Sequence, residues 1–216
     1  MRIQQLGEAD FKTSSWSGGT TTQIFIYPPQ AEYAKRDFLL RISSATVDLE
    51  KSNFTVLPNI QRFISPLTGD LKISHNETYF TKLKPYEIYA FDGGAKTISE
   101  GKVRDFNVMV QEGIDASVKN FFLNASSALK FSIAKNEIGW LFSYNNFCAL
   151  DIETQKIQEG AASAAVRKVC TFNLEKMTLF VFYNDNAENI SASENDTIII
   201  SADSNMSVFY GKLKTA

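Results

Sequence analysis

Two arginines lie within apolar, β-type stretches of the chain: Arg41 inside residues 38–47, and Arg62 at the start of residues 62–65. A guanidinium group stays protonated at any relevant pH, so each arginine must reach solvent or meet an anion or a carboxylate. Two arginines on neighbouring sheet segments can bind a small carboxylate through paired N–H groups. The alternative is that both are solvated, or paired with acidic residues on the sheet surface.

The residues around these arginines alternate as in β-strands, which place successive side chains on opposite faces. The polar face of residues 38–47 holds Arg41, Ser43, Ala45 and Val47. One face of residues 105–110 holds Asp105, Asn107 and Met109. Polar side chains beside core residues need partners. The pattern therefore predicts either a buried ion-pair network or the floor of a polar pocket whose arginines are held for a ligand.

A glycine loop, Trp16-Ser17-Gly18-Gly19-Thr20-Thr21, precedes the first long β-type run. Glycines let backbone N–H groups approach an anion closely, so Trp16 and Thr21 are candidates for the wall of a pocket. The alternative is an ordinary turn that is capped by a buried tryptophan.

The sequence offers little support for a metal site, a catalytic nucleophile or a nucleotide-binding motif. The single histidine, His75, excludes a histidine metal cluster and is predicted to lie in a surface turn. Nucleophile-elbow, phosphate-loop and dinucleotide-binding motifs are missing from the sequence. Cys148 and Cys170 have no motif spacing and are expected to be free thiols, with Cys148 buried.

Short β-type runs separated by turn residues predict an all-β jelly-roll fold. The predicted strands are 20–27, 38–47, 62–65, 71–75, 78–83, 87–91, 106–111, 118–123, 129–134, 140–144, 179–183, 197–201 and 206–210. Helical patterns are scarce, and residues 163–169 are the best candidate for one or two helical turns. All five prolines lie at or before Pro85, which suggests two halves, 1–113 and 114–216.

Charge and hydropathy exclude several partners for this chain of 216 residues. The net charge of −2 with no basic block argues against nucleic acid as a main partner. The sequence has no apolar run of membrane-spanning length and no signal-peptide pattern at its start. We therefore expect a cytoplasmic protein.

Several polar and glycine-containing segments occur in an order that resembles a known family. They are Trp16…Gly19-x-Thr21-x-Gln23-Ile24, Tyr27-Pro28-Pro29, Arg36-Asp37-Phe38-x-x-Arg41-x-Ser43, Asn53-Phe54-Thr55-x-x-Pro58-x-x-Gln61-Arg62, Leu67-x-Gly69 and Asp105-Phe106-Asn107-Val108-Met109. Over residues 16 to about 112 their order and spacing resemble the HutD/Ves family of small bacterial cupin-like proteins. The second half resembles the family only in its length and β-rich texture.

The resemblance implies a bicupin, with two jelly-roll or cupin-like β-barrel halves, few short helices and the pocket in the first half. Members with the Hut name accompany histidine-utilisation genes, which implies a ligand such as formylglutamate, formate or urocanate. This chain departs from the family pattern in two ways. The loop after Trp16 is shorter, and Gln23 and Gln61 stand where acidic residues are expected. Without those charges a binding role is favoured over catalysis.

We therefore expect a protein without metal or cofactor, monomeric or homodimeric, that binds a small anionic metabolite and regulates histidine utilisation or a stress response. Arg62 is expected to be the main anion contact, and Arg41 a second contact or a structural partner. Asp105 and Asn107 would orient the two arginines. The rest of the wall would be formed by Trp16, Thr21 and Ser43.

Two alternatives come from other functional classes. The first is a metal-independent isomerase or epimerase acting on a sugar or small acid, with Asp105 or Glu87 as the base. The second is an interaction module with a vestigial pocket, in which Arg41 and Arg62 are fully paired inside the protein.

Overall fold

The computed structural model describes residues 1–75, 77–125, 127–146, 148–156, 166–184 and 196–215. Within them, strands β1 to β11 are Arg2–Leu6, Lys12–Trp16, Gly19–Tyr27, Leu40–Val47, Lys51–Asn53, Ile60–Thr68, Leu71–His75, Thr81–Leu83, Tyr89–Asp92, Thr97–Glu100 and Val103–Gln111. Strands β12 to β19 are Ala116–Leu123, Ala128–Ile133, Glu137–Ser143, Ala149–Lys156, Val166–Asn173, Thr178–Tyr183, Asp196–Ala202 and Met206–Lys214. Helical structure in the described residues is limited to two 3-10 turns, Glu8–Asp10 and Tyr33–Lys35. The predicted all-β class is confirmed.

The chain divides into two compact units, one of residues 10–114 and the other of residues 1–9 with 115–216. From the sequence, residues 1–9 were predicted to belong to the first half. In the structure, β1 pairs along its whole length with β17, from Arg2 opposite Tyr183 to Leu6 opposite Leu179. The first strand of the chain therefore belongs to the unit that contains the C-terminal half.

The 10–114 unit consists of two antiparallel sheets. One has six strands in the order β2-β3-β4-β11-β6-β9, and the other has four in the order β5-β10-β7-β8. A core cluster joins them, with Ile64 and Val103 from the six-stranded sheet against Leu71 and Ile73 from the four-stranded sheet. Because each strand alternates, the same inner face that supplies this core also presents polar residues further along the strands.

The other unit repeats the plan of two antiparallel sheets. A five-stranded sheet, β1-β17-β14-β19-β12, packs through its apolar face on a four-stranded sheet, β13-β18-β15-β16. The cluster between them includes Phe180 and Phe182 from one sheet and Ile198 and Ile200 from the other, none of them exposed. Burial of such side chains contributes about 1.5–3 kcal/mol each, so this unit has a core of its own.

Each predicted strand overlaps an observed strand, although five of them extend past its ends: 38–47, 78–83, 87–91, 129–134 and 140–144. Six observed strands were not predicted: β1, β2, β5, β10, β15 and β16. The helical interpretation of residues 163–169 is wrong where it can be compared, because Val166–Asn173 forms β16. Residues 163–165 lie outside the described residues. In β16 the register with β15 satisfies the backbone, so pairing with a neighbour overrides the weak helical pattern. In the described part of the chain, no helix is long and apolar enough to cross a membrane.

His75 does not lie in a surface turn, as the sequence suggested. It is the last residue of β7 and is half-buried. Its Nδ1 lies 2.9 Å from Thr97 Oγ1, and its Nε2 lies 3.1 Å from Tyr89 Oη. Its ring also stacks on Tyr89 and contacts Phe91. The partners come from distant strands, which a turn-like sequence context does not reveal.

Candidate functional site

A cavity of about 340 Å³ lies between the two sheets of the 10–114 unit. Four neighbouring strands of the six-stranded sheet, β3, β4, β11 and β6, form its floor, while β5 and the residues after it form the facing wall. The lining residues are Ser14, Trp16, Thr21, Tyr33, Arg41, Ser43, Ala45, Val47, Ser52, Asn53, Phe54, Thr55, Arg62, Asp105, Asn107 and Met109. All seven residues proposed from the sequence are among them. Their part in binding remains a prediction.

Strand register brings the two arginines into one row. Met109, on the central strand β11, is opposite Arg41 of β4 on one side and opposite Arg62 of β6 on the other. Asn107 is opposite Ser43 in the next row on the same face. Strands in a sheet are about 4.8 Å apart, so the Cα atoms of the two arginines are about 10 Å apart. Both side chains enter the same cavity.

Arg62 is a buried cation without a hydrogen-bonding partner for its Nε atom. Only 4% of the residue is exposed. Its guanidinium carbon lies 4.7 Å from the centre of the Phe54 ring and 5.2 Å from that of Phe91. Burial lowers the pKa of Arg62 to about 10, although Asp105 acts in the opposite direction. The charge is therefore held by aromatic rings, with N–H donors left for another group.

Arg41 is equally buried but is well supplied with partners. Its Nε donates to Gln23 Oε1 at 2.9 Å, and one terminal nitrogen donates to Ser43 Oγ at 3.0 Å and approaches Met109 Sδ at 3.8 Å. The guanidinium carbon lies 4.1 Å from the centre of the Tyr33 ring. Burial lowers the pKa of Arg41, and Tyr33 partly offsets this. Arg41 is thus held by hydrogen bonds within the protein, whereas the Nε of Arg62 has no hydrogen-bonding partner.

Asp105 lies on the same face but does not orient the arginines as expected. Its Oδ1 accepts a hydrogen bond from the Ala45 N–H at 3.0 Å. It forms no ion pair with either arginine among the described contacts of the chain. Asp105 is four residues from Met109, or about 13 Å along the strand, and a bulge between Arg104 and Asp105 shifts the register. Burial raises the pKa of Asp105 to about 6, although the Ala45 N–H and nearby arginines counteract it.

Asn107 also forms no hydrogen bond with either arginine among the described residues, and its buried Oδ1 has no partner. The residues that orient the arginines are instead Gln23, Ser43 and the aromatic rings. A buried amide oxygen without a partner costs about 1–3 kcal/mol, so its presence beside the cavity needs an explanation. A hydrogen-bond donor on a bound molecule would satisfy it.

Trp16 stands at the mouth of the cavity and is 39% exposed, so it is not the buried cap of a turn. Its ring covers Gly18, where an added Cβ would lie 2.2 Å from the ring and 2.8 Å from Leu49. The next glycine, Gly19, has φ +147°, and a Cβ there would meet Thr46 O at 1.9 Å. The glycine pair therefore lets β2 and β3 turn tightly beneath the tryptophan.

The second base candidate, Glu87, does not line the cavity. Its side chain accepts a hydrogen bond from the Lys84 N–H in the turn between β8 and β9. Conversely, Tyr33 and Phe54, which line the cavity, were not predicted from the sequence as wall residues. Phe54 belongs to the segment Asn53-Phe54-Thr55, which resembles the family pattern, so its position beside Arg62 could have been inferred from the sequence. Tyr33 lies in the irregular segment between β3 and β4, where no periodicity points to the cavity.

The described residues contain no group of three or more His, Cys, Asp or Glu side chains placed to hold a metal ion. Of the cavity residues that the structure describes, Arg41, Arg62 and Asp105 carry charge. Two guanidinium groups against one carboxylate leave the site with net charge +1 when Asp105 is ionised. Such a site is suited to bind a small anion.

Comparisons with known proteins agree on the fold. PA5104 from Pseudomonas aeruginosa PAO1 superposes with a TM-score of 0.75 at 17% identity, and HutD from Pseudomonas fluorescens SBW25 with 0.68 at 17%, each over 100% of both chains. YhhW from Escherichia coli has a TM-score of 0.65 at 9% identity over 100% of this chain and 99% of its own. No curated protein matches the sequence. The expected cupin-like all-β fold is confirmed, and because the HutD family model matches residues 8–200, most of its length, the chain belongs to the HutD family.

Proposed function

We propose that this HutD-family protein binds a small carboxylate metabolite in the cavity of its 10–114 unit, with Arg62 as the main contact, and acts as a metabolite sensor or regulator. The observation that carries the proposal is the buried Arg62 guanidinium, whose Nε has no hydrogen-bonding partner. A role in histidine utilisation or a stress response, in the cytoplasm and without metal or cofactor, is part of the proposal and rests on the family resemblance.

An unpaired buried cation is expensive, because a charge loses its hydration when it leaves water. A structural arginine would recover part of this cost through hydrogen bonds, as Arg41 does with Gln23 and Ser43. Arg62 recovers only the weaker attraction of Phe54 and Phe91. A carboxylate that accepts two N–H bonds from Arg62 would supply the missing interaction.

The size and polarity of the cavity support a metabolite larger than formate. At about 30 Å³ per water molecule, 340 Å³ has room for about eleven waters. The unpartnered Asn107 Oδ1 calls for a donor on the ligand as well as a carboxylate for Arg62. Formylglutamate and urocanate each carry both groups, whereas formate carries only the carboxylate. One structural neighbour, the Pseudomonas fluorescens HutD, is described in a formate condition, which makes formate the natural small probe.

A second candidate function, acid/base catalysis, is favoured by one observation. Asp105 lies in the cavity with a pKa of about 6, which suits a base near neutral pH. With Glu87 outside the cavity, a metal-independent isomerase or epimerase would depend on this one carboxylate. Turnover of a sugar or small acid that is lost in Asp105→Asn, with a pH–rate profile rising near pH 6, would favour the enzyme. The interaction-module alternative requires Arg62 to be paired, and its Nε is not.

The test is a ligand screen by thermal shift and calorimetry on the wild type, Arg62→Met and Arg104→Met. Arg104 neighbours Asp105 on β11 but faces the other side of the sheet, where it donates to Ser44 Oγ at 3.3 Å. The anion panel consists of formate, N-formyl-L-glutamate, urocanate, glutamate and inorganic phosphate. At a hundred times its dissociation constant, a ligand stabilises the fold by about 2.7 kcal/mol. We expect a carboxylate shift in the wild type and Arg104→Met but not in Arg62→Met; equal binding in Arg62→Met would refute the proposal.

A further inference from the structure

Tyr33 is a cavity residue that comes from outside the sheets. It begins the 3-10 turn Tyr33–Lys35, in the segment that connects β3 to β4. Its ring lies over the Arg41 guanidinium and lines the same cavity as Arg62. The residue thus reaches the floor of the site from a different element than the two arginines.

The Tyr33 ring is held in place by several contacts. It stacks on the fully buried Phe38, with ring centres 6.2 Å apart, and the Arg36 guanidinium carbon lies 3.9 Å from its centre. The segment is closed by hydrogen bonds from Ala31 N to Pro28 O at 2.9 Å and from Leu39 N to Tyr27 O at 2.8 Å. A ring fixed in this way loses little further freedom when a ligand binds.

The hydroxyl of Tyr33, by contrast, has no hydrogen-bonding partner among the described residues. The Tyr33 ring centre lies 4.1 Å from the Arg41 guanidinium carbon, and Tyr33, Arg41 and Arg62 line the same cavity. The ring therefore stands over the part of the cavity floor that holds the two arginines. A phenol is a good donor to an anion, because its O–H can point at a carboxylate oxygen.

We propose that Tyr33 is a ligand-binding residue of this site, whose hydroxyl donates a hydrogen bond to the carboxylate that Arg62 binds. The ring covers Arg41, which already has protein partners, and so directs the anion to the open N–H groups of Arg62. The carboxylate then has donors from two independent elements, a strand and a loop. This inference rests on the proposed function, because it assigns a second contact to the same anion.

The direct test is Tyr33→Phe, which removes the hydroxyl and keeps the ring over Arg41. Tyr79→Phe is the matched control, because Tyr79 is 87% exposed and distant in sequence from the cavity residues of the loop. Binding of formate and of N-formyl-L-glutamate is measured by calorimetry, and the melting temperature is measured without ligand. Loss of one hydrogen bond to a charged group should weaken binding about tenfold or more.

Each outcome has a distinct meaning. A tenfold weaker carboxylate affinity in Tyr33→Phe, with an unchanged unliganded melting temperature and normal binding in Tyr79→Phe, supports the inference. Wild-type affinity in Tyr33→Phe, while Arg62→Met loses binding, overturns the inference and leaves the proposed function standing. If the wild type binds neither probe nor any other member of the anion panel, both the proposed function and the role of Tyr33 are overturned.

Discussion

Replacing Arg62 by methionine should weaken binding and strengthen the fold at the same time. Methionine has a similar length and flexible shape but no charge, so it can fill the space between Phe54 and Phe91. A residue retained for a ligand, at a cost to the empty protein, is expected to behave in this way. Replacement of a residue that is retained for stability should instead destabilise the fold.

The magnitude follows from the pKa of Arg62, which burial lowers from its ordinary value to about 10. At 1.36 kcal/mol for each pH unit, this difference corresponds to about 3 kcal/mol of destabilisation of the charged form. Loss of the two ring contacts removes about 1–2 kcal/mol of attraction. The net expectation is that Arg62→Met is about 1–2 kcal/mol more stable than the wild type. A chain of this length should then melt a few degrees higher, at about 2–4 °C per kcal/mol.

The direction of the pKa shift of Arg62 decides at which pH its charge destabilises the folded protein. Because the pKa in the folded state is below that of the unfolded chain, Arg62 is charged in both states at any pH below about 10. The cost of burying its charge is therefore present at neutral pH and is relieved by loss of its own proton only as the pH rises above about 10. Asp105, whose negative charge attracts Arg62, takes up a proton near pH 6, so the gain in stability of Arg62→Met should be larger at pH 6 than at pH 8.

Chemical and thermal unfolding followed by circular dichroism measures this gain, and calorimetry with the anion panel measures binding. Arg104→Met, on the other face of the same region of β11, controls for the general effect of removing an arginine; because it loses the hydrogen bond to the buried Ser44 Oγ, it should be about 0.5–1.5 kcal/mol less stable than the wild type, the opposite sign to Arg62→Met. Destabilisation of Arg62→Met by more than about 1 kcal/mol would contradict this expectation. In that case Arg62 serves the fold, and the interaction-module alternative gains support.

Three further predictions concern the protonation of Asp105, the tryptophan at the mouth of the cavity and the glycine turn beneath that tryptophan. Asp105→Asn should be up to about 3 kcal/mol more stable than the wild type at pH 7, because the pKa of Asp105 in the folded state, about 6, exceeds the ordinary 3.8. Unfolding curves at several pH values should show this gain shrink as the pH falls below 6 and vanish below about pH 4. An anion should change the fluorescence of Trp16 at the cavity mouth, and Trp16→Phe should abolish that change, since Trp140 is buried in the other unit. Gly19→Ala should cost more than about 2 kcal/mol in an unfolding titration, whereas Gly7→Ala, with open space around it, should cost far less.

The part of the site that the sequence predicts is the part governed by alternation. Period-two spacing correctly placed Arg41 with Ser43, and Asp105 with Asn107 and Met109, because a strand has only two faces. The strands that were predicted are those in which apolar and polar residues alternate clearly. Strands with less regular patterns, such as β15 and β16, depend on pairing with neighbours and were missed.

What the sequence does not predict is which partner each polar side chain meets. The expected bonds from Asp105 and Asn107 to the arginines do not form, because position along the strand and a bulge decide the distance. Gln23, which looked like a lost acidic residue, instead supplies the acceptor for Arg41 Nε. Tyr33 and His75 meet partners through the folding of loops and distant strands, and neither contact leaves a periodic signal in the chain.

The charge balance of the cavity connects anion binding to the protonation of Asp105. With Arg41 and Arg62 charged, the cavity carries +1 when Asp105 is ionised and +2 when it is protonated. A monoanion at Arg62 leaves a charge of zero beside an ionised Asp105, so little drives proton uptake. A dicarboxylate would leave −1 in a buried space, which Asp105 can relieve by taking up a proton because its pKa of about 6 is already near neutral. Protonation of Asp105 would therefore allow one cavity to bind both monoanions and dianions.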